Sequence, residues 1–462
     1  MGSTTKYTQF IGVSAERLWA VLADPRRWPE WNPAVGAVTL RGEPGPGVAG
    51  DYLPARRISA RIHGRLAKPF VLSAFEPGRR IALEQPEPAG VLRFTWTLAA
   101  VPGGTELTQE LTVSGPSAPV WRRIAGEPLE FGSRVHFARL AQLAGIAPAP
   151  DALHVVIAGG SGALGRQVAA DLVCRGQRVT VLTRRIDPTL PFAQVQWDGQ
   201  SVGDWARVLS DRGDGELALI NLAGKLVDCR PTEANVRELR SSRVDSTAAL
   251  VAAARQLARP IDYWIQASTT AIWSDAGEIR CTETTPVPEP GLPQMTGVAV
   301  PWEREFTDAV ARHRTILRTS IVLDPEAPAL RRLSALTKAG LGGSVGNGRQ
   351  WFSWIHLQDW LAIVRAALGL DPQVRLPDGI LVAATDFPVR NRDLMAALRR
   401  HLHRPPAPPT PAAILAVGAV VLRTDPALGL TGRHATSEIL GPAGFRFRYP
   451  TVDDALADLL PA

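Results

Sequence analysis

The run from His154 to Gly165, HVVIAGGSGALG, constrains the fold more than any other stretch of the chain. Val155–Ala158 reads as an apolar strand, a helical pattern resumes over Arg166–Leu172, and Gly159, Gly160, Gly162 and Gly165 crowd the turn between them. Glycine allows the tight dihedral combinations and close backbone approach that such a turn needs. The first N–H groups of the following helix have no intrahelical acceptor and form a ready anion site. The spacing therefore predicts a dinucleotide loop in which Gly159, Gly160, Ser161, Gly162, Ala163, Leu164 and Gly165 surround a pyrophosphate. The competing reading is a plain glycine turn.

Apolar strand candidates recur at Arg178–Thr183, Leu217–Leu222, Asp262–Ala267, Thr315–Leu323 and Leu381–Ala384, with room for crossover helices between them. One doubly wound parallel sheet unites them. The second strand ends in Val181-Leu182-Thr183-Arg184-Arg185, where an NAD site usually places an acid for the ribose hydroxyls. Arg184 and Arg185 instead suit a 2′-phosphate, which favours NADP and leaves NAD as the alternative. The NLAG stretch at Asn221–Gly224 offers Asn221, Ala223 and Gly224 as further nucleotide contacts, or equally a turn joining a buried strand to the next helix.

The chain before this unit reads differently. Lys6–Val13 is a strand, Ser14 a helix cap, and Leu18, Trp19, Val21 and Leu22 one face of a helix. Phe70–Phe75, Arg79–Glu84, Leu92–Ala100 and Thr105–Ser114 are strands divided by Pro/Gly turns, and Pro119 opens a long helix toward Leu143 that Pro128 would bend or break. The short turn-rich stretch IAPAPD, Ile146–Asp151, marks the join. The expected division is 1–146, a linker at 147–153, a nucleotide-binding domain at 154–404 and a small lobe at 405–462 that completes the cleft. Within the lobe, Ala412–Leu422 and Ala435–Leu440 read as helices, and FRFRYPTVDDALADLL as a strand and then a helix.

Composition narrows the functional classes. Three cysteines in 462 residues, without close spacing, argue against a disulfide scaffold or a thiolate zinc centre and favour the reducing cytoplasm. No apolar run is long enough to cross a bilayer, and the net charge of +7 is not gathered into a basic arm, so neither membrane insertion nor nucleic-acid binding is expected. A homo-oligomer is compatible with the sequence.

Two family resemblances follow from these residues. The opening IGVSAERLWAVLADPRRWPEWNP resembles the START-related polyketide-cyclase or lipid-transport-like superfamily, whose sheet curls around a long C-terminal helix. That resemblance implies an apolar ligand walled by Trp28, Trp31, Phe75, Phe94, Trp96 and Phe137; the plainer reading is that these rings fill a core. GGSGALG, VTVLTRR, NLAG, SRVDST, LRTSIVL and LGGSVGNGRQWFSWIHLQD resemble the sugar-epimerase-like, cell-division-inhibitor-related branch of the extended short-chain dehydrogenases. The implied architecture is an α/β Rossmann-like doubly wound parallel sheet with a small C-terminal lobe, preceded by an α+β helix-grip domain. The implied chemistry is hydride transfer with a small organic or sugar-like substrate.

That wider family uses a tyrosine and a lysine four residues later as its proton relay. Here Tyr7, Tyr52, Tyr263 and Tyr449 are followed at that distance by Ile11, Arg56, Ala267 and Asp453. In ASTTAIWSDAG, Ser268 remains while Ile272 and Trp273 stand where relatives carry tyrosines. Ser268, Thr269 and His356 are the remaining catalytic candidates. Arg349, Trp351 and Ser353 are candidates on the substrate side, and Glu303 of the WE pair can orient a loop or an arginine. His356 also suits a helix-entry contact. Two readings stay open: an NADP-dependent oxidoreductase or epimerase-like protein, and a noncatalytic NADP-binding sensor or scaffold coupled to the N-terminal domain.

Overall fold

The computed structural model describes residues 3–55, 67–116, 127–213, 215–325, 327–413, 415 and 424–460. The N-terminal unit is a seven-stranded antiparallel sheet built from β1 (Ser3–Ile11), β2 (Val35–Leu40), β3 (Ala49–Pro54), β4 (Lys68–Glu76), β5 (Arg80–Glu87), β6 (Gly90–Val101) and β7 (Gly104–Ser114), in the order β1-β7-β6-β5-β4-β3-β2. β7 shows why one face closes: Thr105, Leu107, Gln109, Leu111 and Val113 are buried and the residues between them face outward, the two-residue period of a half-buried strand. α1 (Ala15–Leu22) buries Leu18, Val21 and Leu22, and α2 (Glu127–Leu143) packs along β1. Pro128 falls in the first turn of α2, where its missing N–H costs nothing. The expected start at Pro119 lies outside the described residues. β2 and β3 are strands the sequence did not signal, since Val35–Leu40 and Ala49–Pro54 lack strict alternation of apolar and polar residues.

The aromatic rings expected to wall a cavity pack largely on one another. Trp28 and Trp96 lie 4.9 Å apart by ring centroid, with Trp31 edge-on to Trp96 and Phe94 stacked on it; Phe75 meets Trp19, and Phe137 meets Tyr7.

The second unit is an all-parallel sheet of β8 (His154–Ala158), β9 (Arg178–Thr183), β10 (Ala193–Gln196), β11 (Leu217–Asn221), β12 (Ile261–Thr269), β14 (Ala311–Thr319) and β18 (Gly379–Ala383). Its order is β10-β9-β8-β11-β12-β14-β18. Every residue of β8 and β11 is buried, as strands covered by helices on both faces must be. α3 (Ala163–Cys174) follows β8, and α4 (Glu233–Ala254) lies between β11 and β12. The chain leaves β8 toward β9 on one side and returns to β11 on the other, so the crevice of a doubly wound sheet opens between their C-terminal ends. The polar edge strand β10, AQVQ, carried no apolar signal.

The expected strand Thr315–Leu323 is two strands. Ser320 donates both its N–H (3.0 Å) and its hydroxyl (2.8 Å) to the Ala383 carbonyl, ending the ladder with β18. β15 (Ile321–Leu323) then leaves the sheet to pair with β17 (Trp354–His356), and β16 (Trp351–Phe352) pairs with β19 (Val389–Arg390). Around buried Trp354 gather α6 (Pro328–Lys338), α8 (Asn391–His401) and α9 (Val452–Leu459), which bring Leu330, Leu394, Leu398 and Leu456 into one apolar cluster. The C-terminal region therefore draws on segments well before residue 405.

Two expectations in the tail are corrected. Ala435–Leu440 is not helical: His434–Ala435 form β20, parallel to β13 (Arg280–Cys281), and Glu283 then accepts from the Glu438 N–H while Ser437 Oγ accepts from those of Ile439 and Leu440. FRFRY is not a strand, because the buried Asp359 carboxylate takes the N–H groups of Arg448 (2.7 Å) and Tyr449 (3.0 Å). Most of Ala412–Leu422 lies outside the described residues. No described helix is long and apolar enough to cross a membrane.

The two sheet units meet through α2 and α3. Gly12 N–H donates to the Cys174 carbonyl at 2.7 Å, and Ala149 N–H donates to that of Gly176. Buried Asp171 accepts from Arg365 (2.7 Å), Arg175 (3.3 Å) and Gln9 (3.4 Å), while Arg134 donates to the Gln9 amide oxygen.

Candidate functional site: the glycine cradle and the serine–glutamate–arginine cluster

β8 ends at Ala158 and Gly159 turns the chain with φ +75°, a conformation costly for a residue with a Cβ. A Cβ there would come within 2.8 Å of the Leu222 carbonyl; one at Gly160 would meet Val181, and one at Gly165 would lie 2.5 Å from Gly160 Cα. These three glycines thus let the loop, the first turn of α3 and the end of β11 close on one another. Gly162 is the N-cap of α3 and supplies no side chain to its N–H groups; Gly162 and Ala163 are exposed at the helix entrance. Leu164 turns toward the core, and Ser161 Oγ is 2.9 Å from Thr183 Oγ1, fastening the loop to the end of β9. Thr183 Oγ1 in turn donates to the Arg185 carbonyl, and both Arg184 and Arg185 expose their side chains just beyond.

Asn221 is fully buried. Its amide nitrogen donates to Thr247 and Gln266 and its oxygen accepts from Ala223 N–H at 3.0 Å, so it shapes the loop after β11 from beneath. Gly224 lies against Arg243, which donates to the Leu239 and Lys225 carbonyls and covers Trp302. Burial lowers the Arg243 pKa to about 10. Beyond this loop a depression of about 460 Å³ is lined by Cys229, Arg230, Thr232 and Asn235.

β12 delivers Ser268 and Thr269 at its C-terminal end. Ser268 Oγ donates to Glu303 Oε1 at 2.5 Å, and Arg318 grips the same carboxylate with Nε (2.9 Å) and a terminal nitrogen (2.8 Å). Glu303 comes from α5 (Thr296–Glu305) and Arg318 from β14. The Arg318 guanidinium also lies 5.0 Å from the centroid of buried Trp273. Arg318, within LRTSIVL, was not expected at the site; the available signal was an arginine at the TILRT end of a strand, where it is buried only when paired. Thr269 Oγ1 accepts from Ala271 N–H and caps a short turn over Thr270–Trp273, where Ile272 and Trp273 are core residues.

The remaining candidates sit in the C-terminal region. His356 caps α7 (Leu357–Ala367): Nδ1 accepts from Gln358 N–H, Nε2 lies 3.2 Å from Asp458, and the ring packs on Tyr449. Trp351 is held between His434 and Arg390 and donates to Glu278. Ser353 donates to the Arg433 carbonyl and accepts from Ala435 N–H, and Arg349 exposes its side chain while its carbonyl accepts from Arg390. The segment thus stitches the C-terminal tail in place. Ser268 and Thr269 are neighbours at the end of β12 with separate partners, Glu303 and the Ala271 N–H, and His356 belongs to another cluster with Tyr449 and Asp458. Among the described residues no group of three His, Cys, Asp or Glu side chains could hold a metal.

Residues 4–145 match the family described as polyketide cyclase / dehydrase and lipid transport, and residues 155–374 match the NAD dependent epimerase/dehydratase family. An epimerase family protein of Mycobacterium leprae is 30% identical over 306 residues, which cover 66% of this chain and 94% of that relative. The crystal structure of the human epimerase family protein SDR39U1 (isoform 2) with NADPH aligns with a TM-score of 0.57 at 23% identity, over 67% of this chain and 99% of that one. A nucleoside-diphosphate sugar epimerase from Corynebacterium glutamicum aligns over 99% of this chain and 90% of its own, with a TM-score of 0.58 at 21% identity, so its fold parallels both units. The chain belongs to the epimerase family, with a polyketide-cyclase-like, START-related domain ahead of its Rossmann-like unit.

Proposed function

We propose that this chain binds NADP, with NAD as the alternative, and acts as an NADP-dependent oxidoreductase or epimerase-like protein that lacks the usual tyrosine and lysine. The observation that carries the reading is the cradle at Gly159–Gly165: three positions where a Cβ would fill the space, and a helix entrance without a side-chain cap. Backbone N–H groups there would hold the pyrophosphate, and Arg184 and Arg185 the additional ribose phosphate. The NADPH named with the human relative supports that choice. When bound, the cofactor supplies hydride transfer at its nicotinamide.

The residues of this chain would handle the proton. The Ser268 hydroxyl is committed as a donor to Glu303, which leaves its oxygen lone pairs to accept from a substrate hydroxyl. On oxidation that hydroxyl's proton would pass to Ser268 as the serine proton passes to Glu303. Arg318 fixes the plane of the carboxylate. A sugar-like substrate fits the nucleoside-diphosphate sugar named for the Corynebacterium relative. We place the domain division at the 147–153 linker, with the region after 404 completing the cleft.

The noncatalytic reading has its own support. Thr269 is used as a cap, His356 spends Nδ1 on a helix cap with Nε2 3.2 Å from Asp458, and Ile272 and Trp273 are packed as core. Calorimetric titration with NADP and NADPH tests the first step, and absence of heat for both at high protein concentration overturns it. Hydride transfer, followed at the nicotinamide absorbance across a panel of sugar nucleotides and small alcohols, then separates the readings. Turnover lost in Glu303→Gln supports the relay, and tight binding without turnover supports the sensor.

A further inference from the structure

Arg184 and Arg185 lie at the start of the connection from β9 to β10, residues 184–192, and three separate devices hold that connection. At its near end Thr183 Oγ1 bonds to Ser161 and to the Arg185 carbonyl. In the middle Asp187 N–H donates to Gln194 Oε1, Gln194 Nε2 donates back to the Asp187 carbonyl at 2.7 Å, and Asp187 Oδ1 accepts from Thr189. The far end is held from outside the nucleotide-binding unit. Gln142 Nε2 donates to the Pro191 carbonyl at 2.7 Å, and an Arg139 guanidinium nitrogen donates to that of Thr189. Both side chains come from the last turns of α2, the grip helix of the N-terminal domain, whose opposite face buries Phe137, Ala138, Leu140 and Ala141 in that domain's core.

We infer that Arg139 and Gln142 are positioning residues for cofactor choice: the N-terminal domain sets the loop that presents Arg184 and Arg185 to the ribose 2′-phosphate. This rests on the proposed NADP site. The two contacts act on carbonyls, so no substitution within the loop itself can remove them cleanly. A guanidinium fork matches a phosphate only in a fixed orientation, so a loop released at its far end loses affinity for the phosphorylated cofactor and not for the other. The pyrophosphate cradle at Gly159–Gly165 meets this loop at its near end, through Ser161 and Thr183, and its glycines close on Leu222 and Val181.

The test uses the full-length protein and isothermal titration with NADPH and NADH. Gln142 is exposed, so Gln142→Ala and Gln142→Glu leave the fold intact, and the double variant Arg139→Ala/Gln142→Ala removes both contacts. The lost hydrogen bonds predict NADPH affinity about three- to tenfold weaker, NADH affinity unchanged, and recovery in Gln142→Lys, which keeps a donor. Arg17→Ala is the control, because Arg17 donates to the Gly145 carbonyl beyond the end of the same helix without touching the loop. An unchanged NADPH to NADH ratio in both Gln142 variants, with wild-type binding intact, overturns the inference. Wild-type protein that binds neither nucleotide instead overturns the proposed function on which it rests.

Discussion

Replacing Arg318 by Met tests the core of the candidate site most directly. Arg318 is 4% exposed and the Glu303 side chain 12%, so the carboxylate depends on its partners rather than on water. The substitution keeps side-chain volume but removes two charge-assisted hydrogen bonds and the contact over Trp273. Among the described residues, only Ser268 would then hydrogen-bond Glu303. Breaking a buried pair from one side costs about 3–5 kcal/mol, mostly from the charge left behind. At about 2–4 °C per kcal/mol for a unit of this size, the calorimetric transition of the nucleotide-binding domain falls by roughly 6–20 °C. Glu303→Gln in the same background removes the stranded charge, so the double variant recovers at least about 1 kcal/mol relative to Arg318→Met alone. Arg318→Met within about 1 kcal/mol of wild type, with no coupling to Glu303→Gln, would refute the view that these groups form one unit.

Other outcomes follow from the same structure. Gly165→Ala places a methyl against Gly159 and Gly160 and weakens binding of NADPH and NADH together by about tenfold or more in calorimetric titration, since the cradle and not the arginine pair is disturbed. Arg184→Glu/Arg185→Glu lowers NADPH affinity by about tenfold or more, the loss expected for one or two charge-assisted hydrogen bonds, and spares NADH. For pH, burial and then the nearby Arg178 lower the His154 pKa from 6.5 to about 4. The unfolded chain therefore binds a proton that the folded one refuses. The stability contributed by neutral His154 is complete above about pH 6.5 and is lost as pH falls toward 4, a difference of roughly 3 kcal/mol. Urea titrations of wild type and His154→Gln across that window check it, and parallel pH profiles would count against it.

Much of the nucleotide-binding unit was legible because β8 and β11 are nearly continuous apolar runs and the glycines of the loop have a steric purpose. HVVIA and LALIN are buried on both faces, and Gly159 and Gly165 sit where no other residue fits. Legibility failed where a side chain took the place of a backbone ladder. Asp359 holds the N–H groups of Arg448 and Tyr449, and Glu283 holds that of Glu438, so an apparent strand and an apparent helix became irregular chain. Both carboxylates are remote in sequence from the segments they organise. The Ser268–Glu303–Arg318 cluster was legible only in part: all three residues lie in family-like stretches, ASTTAIWSDAG, the WE pair and LRTSIVL, but nothing local marks Arg318 as the partner of a carboxylate fifteen residues away. His356 shows the converse, since a histidine before a helix can serve as cap or as acid, and here it caps.

The helix from Ala163 to Cys174 has two employers. Its first turn faces the crevice, while Asp171 and the Cys174 carbonyl near its other end bind the leading domain. Twelve residues span about 18 Å, short enough to move as a rigid rod. Amide exchange along this rod should consequently slow as a block when nucleotide is added, and the slowing should continue into Gly12, whose N–H is bonded to its far end.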